Sequence, residues 1–174
     1  SAEKAQAFLM QLRHIDAQKL NQSDKVNLRL LQRQLGEQVE GNSFDQNRLM
    51  LFTNRGGWHQ SYASMSNNLP FRTKADYQSY LTRIAQYPRI NDEAISISNM
   101  AIAKGYTLPC VAMKNFEKGI SGVIATDPKK SRFYKPFTRN KPASISDQDW
   151  QAMSSKAQTL ITTKINPAYQ KHHD

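Results

Sequence analysis

One cysteine, Cys110, is all the thiol in this 174-residue chain, so neither an intramolecular disulfide nor a thiolate metal cluster can form. Glycine and proline are sparse at seven each, which excludes collagen-like and low-complexity chains. Acidic residues are few: 14 Asp and Glu stand against 24 Lys and Arg, and the net charge of +10 favours anionic partners or simple solubility without choosing between them. No run of roughly 18 apolar residues occurs, so no segment here can cross a bilayer as a helix. There is no basic, apolar leader and no repeat of solenoid length, and Ser1-Ala2 reads as a cloning remnant. What is present, 39% apolar and 9% aromatic residues, suffices for one unstapled core, and residues 1–174 read as a single helical domain.

Helical spacing recurs along the chain. Ala5, Phe8, Leu12 and Ile15 form one stripe, and Leu28, Leu31, Leu35 and Val39 form a second between an N-cap at Ser23 and a left-handed C-terminal Gly41. From Asn42 to Asn68 the period fails; Leu49 to Thr53 reads as an extended stretch entering the turn Asn54-Arg55-Gly56-Gly57, with a short helix near Ser61 to Ser66. Thr73 and Asp76 make a capping box ahead of the stripe Tyr77, Tyr80, Leu81 and Ile84, which stops before Pro88. Ile90, Ala94, Ile97 and Ala101 continue to Gly105, and Pro109 suits the first position of a fifth helix facing inward through Ala112, Phe116, Ile120 and Val123. Residues 126–145 show no period and read as a long basic loop. Ser146 with Asp149 opens a last helix, with the stripe Trp150, Met153, Ala157, Leu160 and Ile161 and a kink at Pro167. About six amphipathic helices with almost no alternating strand make the class all-α, a bundle-like array with one irregular region.

Few residues suggest chemistry. Zinc peptidases hold two His one helical turn apart beside a Glu, and none of His14, His59, His172 and His173 has a partner at that spacing, so no metal ligand is assigned. Adjacent His172 and His173 point about 100° apart on a helix and read as a solvated tail. No G-x-S-x-G elbow or phosphate loop occurs, and Cys110 reads as a small buried residue in a helical first turn rather than a thiolate activated by a helix dipole. No catalytic residue is assigned. Asn54, Arg55, Gly56, Gly57, Trp58 and His59 are the candidate substrate-binding residues: the glycines permit close approach, and the flanking side chains recognise polar or planar groups. An ordinary turn with Trp58 packed on a neighbour fits the same residues. Lys129, Lys130, Arg132, Lys135 and Arg139, interleaved with Phe133, Tyr134 and Phe137, are candidates for an anionic surface. Absence of any recognised motif weighs against nucleic acid, and a solvated loop anchored by its aromatics is the plainer reading.

The succession Ser23-Asp24-Lys25-Val26-Asn27, Asn54-Arg55-Gly56-Gly57-Trp58-His59, Leu69-Pro70-Phe71-Arg72-Thr73, Gly105-Tyr106-Thr107-Leu108-Pro109 and Pro167-Ala168-Tyr169 resembles the bacterial domain-of-unknown-function family 885, over nearly the whole chain. The resemblance implies a longer, largely helical parent of the cell envelope, exported or lipid-anchored in the periplasm. Its second half would carry a His-Glu-x-x-Pro-Gly-His-His signature like that of zinc-dependent metallopeptidases. That signature would lie beyond Asp174, so zinc would belong to the parent and no cofactor to this chain. Only structural or cleft-lining positions transfer, Asn54, Gly56, Gly57 and His59 first. The expected partners are the C-terminal half and a peptide substrate. Helix faces meant for that half should expose apolar side chains or bury them in a homodimer.

Overall fold

The structure, a computed structural model, describes residues 2–53 and 56–174. It is all-α, with helix dominating and strand negligible. No helix among the described residues is long and apolar enough to cross a membrane. Contacts group the chain into two compact units, Ser1–Met50 and Leu51–Asp174.

In the first unit, α1 (Ala2–Leu12) packs on α2 (Gln22–Gly41), and α3 (Asp45–Leu49) follows. The first stripe is shorter than its spacing predicts, because the helix ends at Leu12 and Ile15 lies in the turn beyond it. Helix α2 starts two residues earlier than expected: the Asn21 side chain, not Ser23, accepts the backbone N–H of Asp24. Gly41 is not left-handed either. It stays helical, and the chain leaves through Asn42 in right-handed geometry.

The second unit opens with a two-residue ladder, β1 (Phe52–Thr53) against β2 (Gly56–Gly57), in antiparallel register Phe52 to Gly57 and Thr53 to Gly56. Then come α4 (Trp58–Ala63), a 3-10 turn at Met65–Asn68, and α5 (Lys74–Ile84). The capping box on α5 forms as read: Thr73 accepts the Asp76 N–H, and the Asp76 carboxylate accepts the N–H groups of Arg72 and Thr73. Helix α6 (Tyr87–Ala103) starts ahead of its predicted place and takes Pro88 into its first turn, where a missing N–H costs nothing. Gly105 then turns the chain with a φ of +78°.

The predicted fifth helix is largely absent. Residues 110–115 form turns, and α7 (Phe116–Ser121) begins only after Asn115, whose φ of +65° breaks the helical path. The 126–145 stretch is more ordered than a solvated loop. It folds into 3-10 helices at Pro128–Lys130 and Arg132–Thr138, with Phe133, Tyr134 and Phe137 buried. Helix α8 (Asp147–Leu160) is capped by Ser146 and passes through a π turn, Ile161–Ile165, into α9 (Asn166–His173) with Pro167 in its first turn.

The core of this unit lies where α5, α8, the π turn and α9 meet the 3-10 segments. Tyr77, Tyr80, Leu81, Ile84, Phe133, Ala157, Ile161, Ile165 and Tyr169 are all buried there. Tyr80 seals its hydroxyl by donating to the Phe133 carbonyl at 2.8 Å, and burial holds that phenol well above its ordinary range of proton affinity.

Candidate functional site

The glycine pair does a specific job. Gly56 has a φ of +139°, which L side chains rarely adopt. A Cβ on Gly57 would come within 2.5 Å of the Phe52 Cβ. The tight ladder this permits delivers Trp58 and His59 at the start of α4, against α6, α7 and α9. Asn54 and Arg55 lie outside the described residues.

Around Trp58 and His59 the structure gathers rings from distant parts of the chain. The His172 ring stacks on Trp58 with centroids 4.4 Å apart and planes at 18°. His59 meets His172 at 5.1 Å, Phe116 at 5.3 Å and Trp58 at 5.5 Å, each nearly edge-on. Phe52 stacks on Phe116 at 5.0 Å.

Beneath lies a polar network tying three helices. Buried Asn91 accepts from the Trp58 indole N–H at 3.3 Å and from the Tyr87 hydroxyl at 3.4 Å, and it donates to the Ala168 carbonyl at 3.0 Å. Tyr169 stacks on Tyr87 and donates to the His59 carbonyl at 2.5 Å.

Within this network the imidazoles differ from their neighbours. Both ring nitrogens of His59 and Nδ1 of His172 are buried without a hydrogen-bond partner. Burial keeps both rings neutral at ordinary pH. It lowers the His59 pKa, and, with the repulsion the two rings would feel once protonated, it lowers that of His172 to about 4. Beside them opens a cavity of about 600 Å³ walled by Phe52, Trp58, Ile95, Met113, Phe116 and His172.

His172 is therefore no solvated tail; it is half-buried in an aromatic stack, while exposed His173 pairs with Asp174 at 3.1 Å. Cys110 is exposed, in turns that precede α7, so both the buried reading and the helix-dipole reading fall. His59 has no exposed surface. Lys129, Lys130, Arg132, Lys135 and Arg139 are all exposed, whereas their interleaved aromatics face the core. Lys135 donates to the Asn67 side chain at 3.0 Å, and Arg139 lies over the Phe71 ring at 5.5 Å.

His172, Phe116 and Asn91 were not among the candidate site residues. One signal for His172 was available, since it continues the buried stripe Ile161, Ile165 and Tyr169 at helical steps.

Fold and site together define an all-helical chain with an aromatic, imidazole-lined cavity. The chain belongs to the bacterial proteins of unknown function grouped as DUF885, whose family model matches residues 1–174. No curated protein and no solved structure matches it.

Proposed function

We propose that this chain is the non-catalytic, N-terminal helical region of a zinc-dependent peptidase or related hydrolase of the cell envelope, and that it forms part of the substrate cleft. The observation that carries the cleft assignment is the open cavity beside the Trp58–His172 stack, within the size range of small-molecule sites and apolar on most of its wall. The family resemblance supplies the peptidase class.

Zinc does not fit the described residues. A catalytic zinc takes three protein ligands, and nowhere do three His, Cys, Asp or Glu side chains come together among them. In this reading the chain's own residues bind and orient: Trp58 and Phe116 offer flat apolar surface, and Asn91 fixes the indole of Trp58 from below.

The test uses the full-length parent. Removing zinc should abolish peptide hydrolysis, and Trp58→Leu should raise KM about tenfold with little change in kcat, the pattern of lost uniform binding. Hydrolysis that survives zinc removal would end the peptidase assignment, and an unchanged KM would end the cleft assignment.

A second reading, a helical module for an anionic polymer or membrane surface, is favoured by the five exposed cations between Lys129 and Arg139. Because Phe133, Tyr134 and Phe137 are buried, that surface offers charge without base stacking.

A further inference from the structure

We propose that the cavity beside Trp58 binds a large apolar side chain together with an adjacent uncharged carbonyl, the pair of groups that an internal peptide residue presents. The inference rests on the cleft reading above and specifies the substrate class of that cleft.

The apolar half follows from the walls. Phe52 and Phe116 stack at 5.0 Å, Trp58 meets Phe52 edge-on at 5.8 Å, and Ile95 and Met113 complete a surface for an aromatic or branched side chain.

The polar half follows from His172. Its Nδ1 is sealed and unpartnered, so Nε2 is the nitrogen left to meet the cavity that the ring lines. A buried N–H without an acceptor is rarer in folded proteins than an under-used acceptor, which places the single proton of the neutral ring on Nε2. The wall thus presents a neutral donor, held flat by the stack on Trp58 and ready for a carbonyl oxygen.

Charge decides which carbonyl. Lys171 at the rim is already engaged by the Asp92 carboxylate at 2.7 Å, and His173 is paired with Asp174. Glu117 and Asp174 add negative charge to the same rim. Among the described residues no unpaired cation at this rim awaits a carboxylate, and a free acid would enter against the charge of Glu117 and Asp174. An amide meets the same donor without that cost.

The experiment compares N-acetyl-phenylalaninamide with N-acetyl-phenylalanine at pH 7.5, on the 174-residue chain. Binding is followed by NMR through the Trp58 indole N–H and the His172 ring protons. The amide should shift both sets of resonances and bind at least about fivefold more tightly than the acid. His172→Phe keeps an aromatic ring on Trp58 but removes the donor, and it should weaken amide binding about 3- to 10-fold, the worth of one neutral hydrogen bond.

Equal affinity for acid and amide, amide binding untouched by His172→Phe, or no movement of the Trp58 resonance at millimolar amide would each overturn the proposal. The acid–amide comparison is made on the unaltered protein, so it decides even if the variant folds poorly. Neither zinc nor hydrolysis enters the measurement, so its failure is separate from a failure of the peptidase reading.

Discussion

Helices α1 and α2 carry apolar stripes as regular as those of α5 and α8, yet the two regions do different things with them. In residues 2–50 the buried stripe residue is Ala5; Leu12, Leu28, Leu35 and Val39 are half-buried, and Phe8 and Leu31 are exposed. In residues 51–174 the stripe positions Tyr77, Tyr80, Leu81 and Ile84 on α5 and Met153, Ala157 and Leu160 on α8 are buried. The difference teaches that a stripe specifies which face of a helix would be buried and not whether anything buries it. Aromatics make up much of what is lacking. Around Tyr77 alone, Phe71, Phe137 and Trp150 approach within 5.3 Å, whereas the first unit has Phe8 and Phe44, both exposed.

Hydrogen exchange is the sharpest way to break this comparison. Helix α2 packs on α1 but has no fully buried side chain, so its intrahelical bonds and Asn21 cap open more easily than bonds over the core of the second unit. Amides of α2 should exchange at least about 100-fold faster than those of α8 in the 174-residue chain. Equal protection would mean that α2 belongs to the same cooperative unit as α8.

Substitutions probe the same contrast at single residues. Tyr77→Ala removes a ring 1% exposed and should cost about 3–5 kcal/mol in denaturant unfolding, from lost transfer energy plus the cavity left behind. Leu30→Ala, at a side chain 54% exposed, should stay within about 0.5 kcal/mol. A Leu30→Ala cost near that of Tyr77→Ala would show that the α1–α2 face is covered in solution, with self-association the first property to measure.

How much of this was legible tracks how local each cause is. The capping box at Thr73 and Asp76 and the α5 stripe appear as read, because a cap and a helical face are settled within a dozen residues. Helix five failed for an equally local reason. Pro109 permits a helix start, but Asn115 adopts a left-handed conformation that only the folded chain selects. The 3-10 segments between Pro128 and Thr138 were hidden by their prolines and lysines, although Phe133, Tyr134 and Phe137 sit at three- and four-residue steps. For the candidate site, Gly57, Trp58 and His59 stood out as an unusual run, while Phe116 and His172 arrive from α7 and α9 by tertiary packing alone. No local pattern announces such a meeting.

Acid should act on the second region, and the sign follows from His172. Burial, reinforced by the repulsion the His59 and His172 rings would feel once protonated, holds the folded-state pKa of His172 near 4, against an ordinary 6.5. Between those values the unfolded chain binds a proton that the folded chain refuses, so unfolding becomes progressively easier as pH falls from about 6.5 toward 4. The stability at stake is fully present above pH 6.5 and is lost as pH falls toward 4. His59, lowered by burial alone, contributes in the same direction. His172→Phe, which retains an aromatic ring over Trp58, should flatten the acid limb of the stability curve between pH 6.5 and 4 while leaving neutral stability nearly unchanged. If wild type and variant lose stability in parallel over that range, the ring takes up its proton in place and the Trp58–His172 stack tolerates charge. In that case the neutral donor assigned to the cavity wall would no longer be enforced by burial.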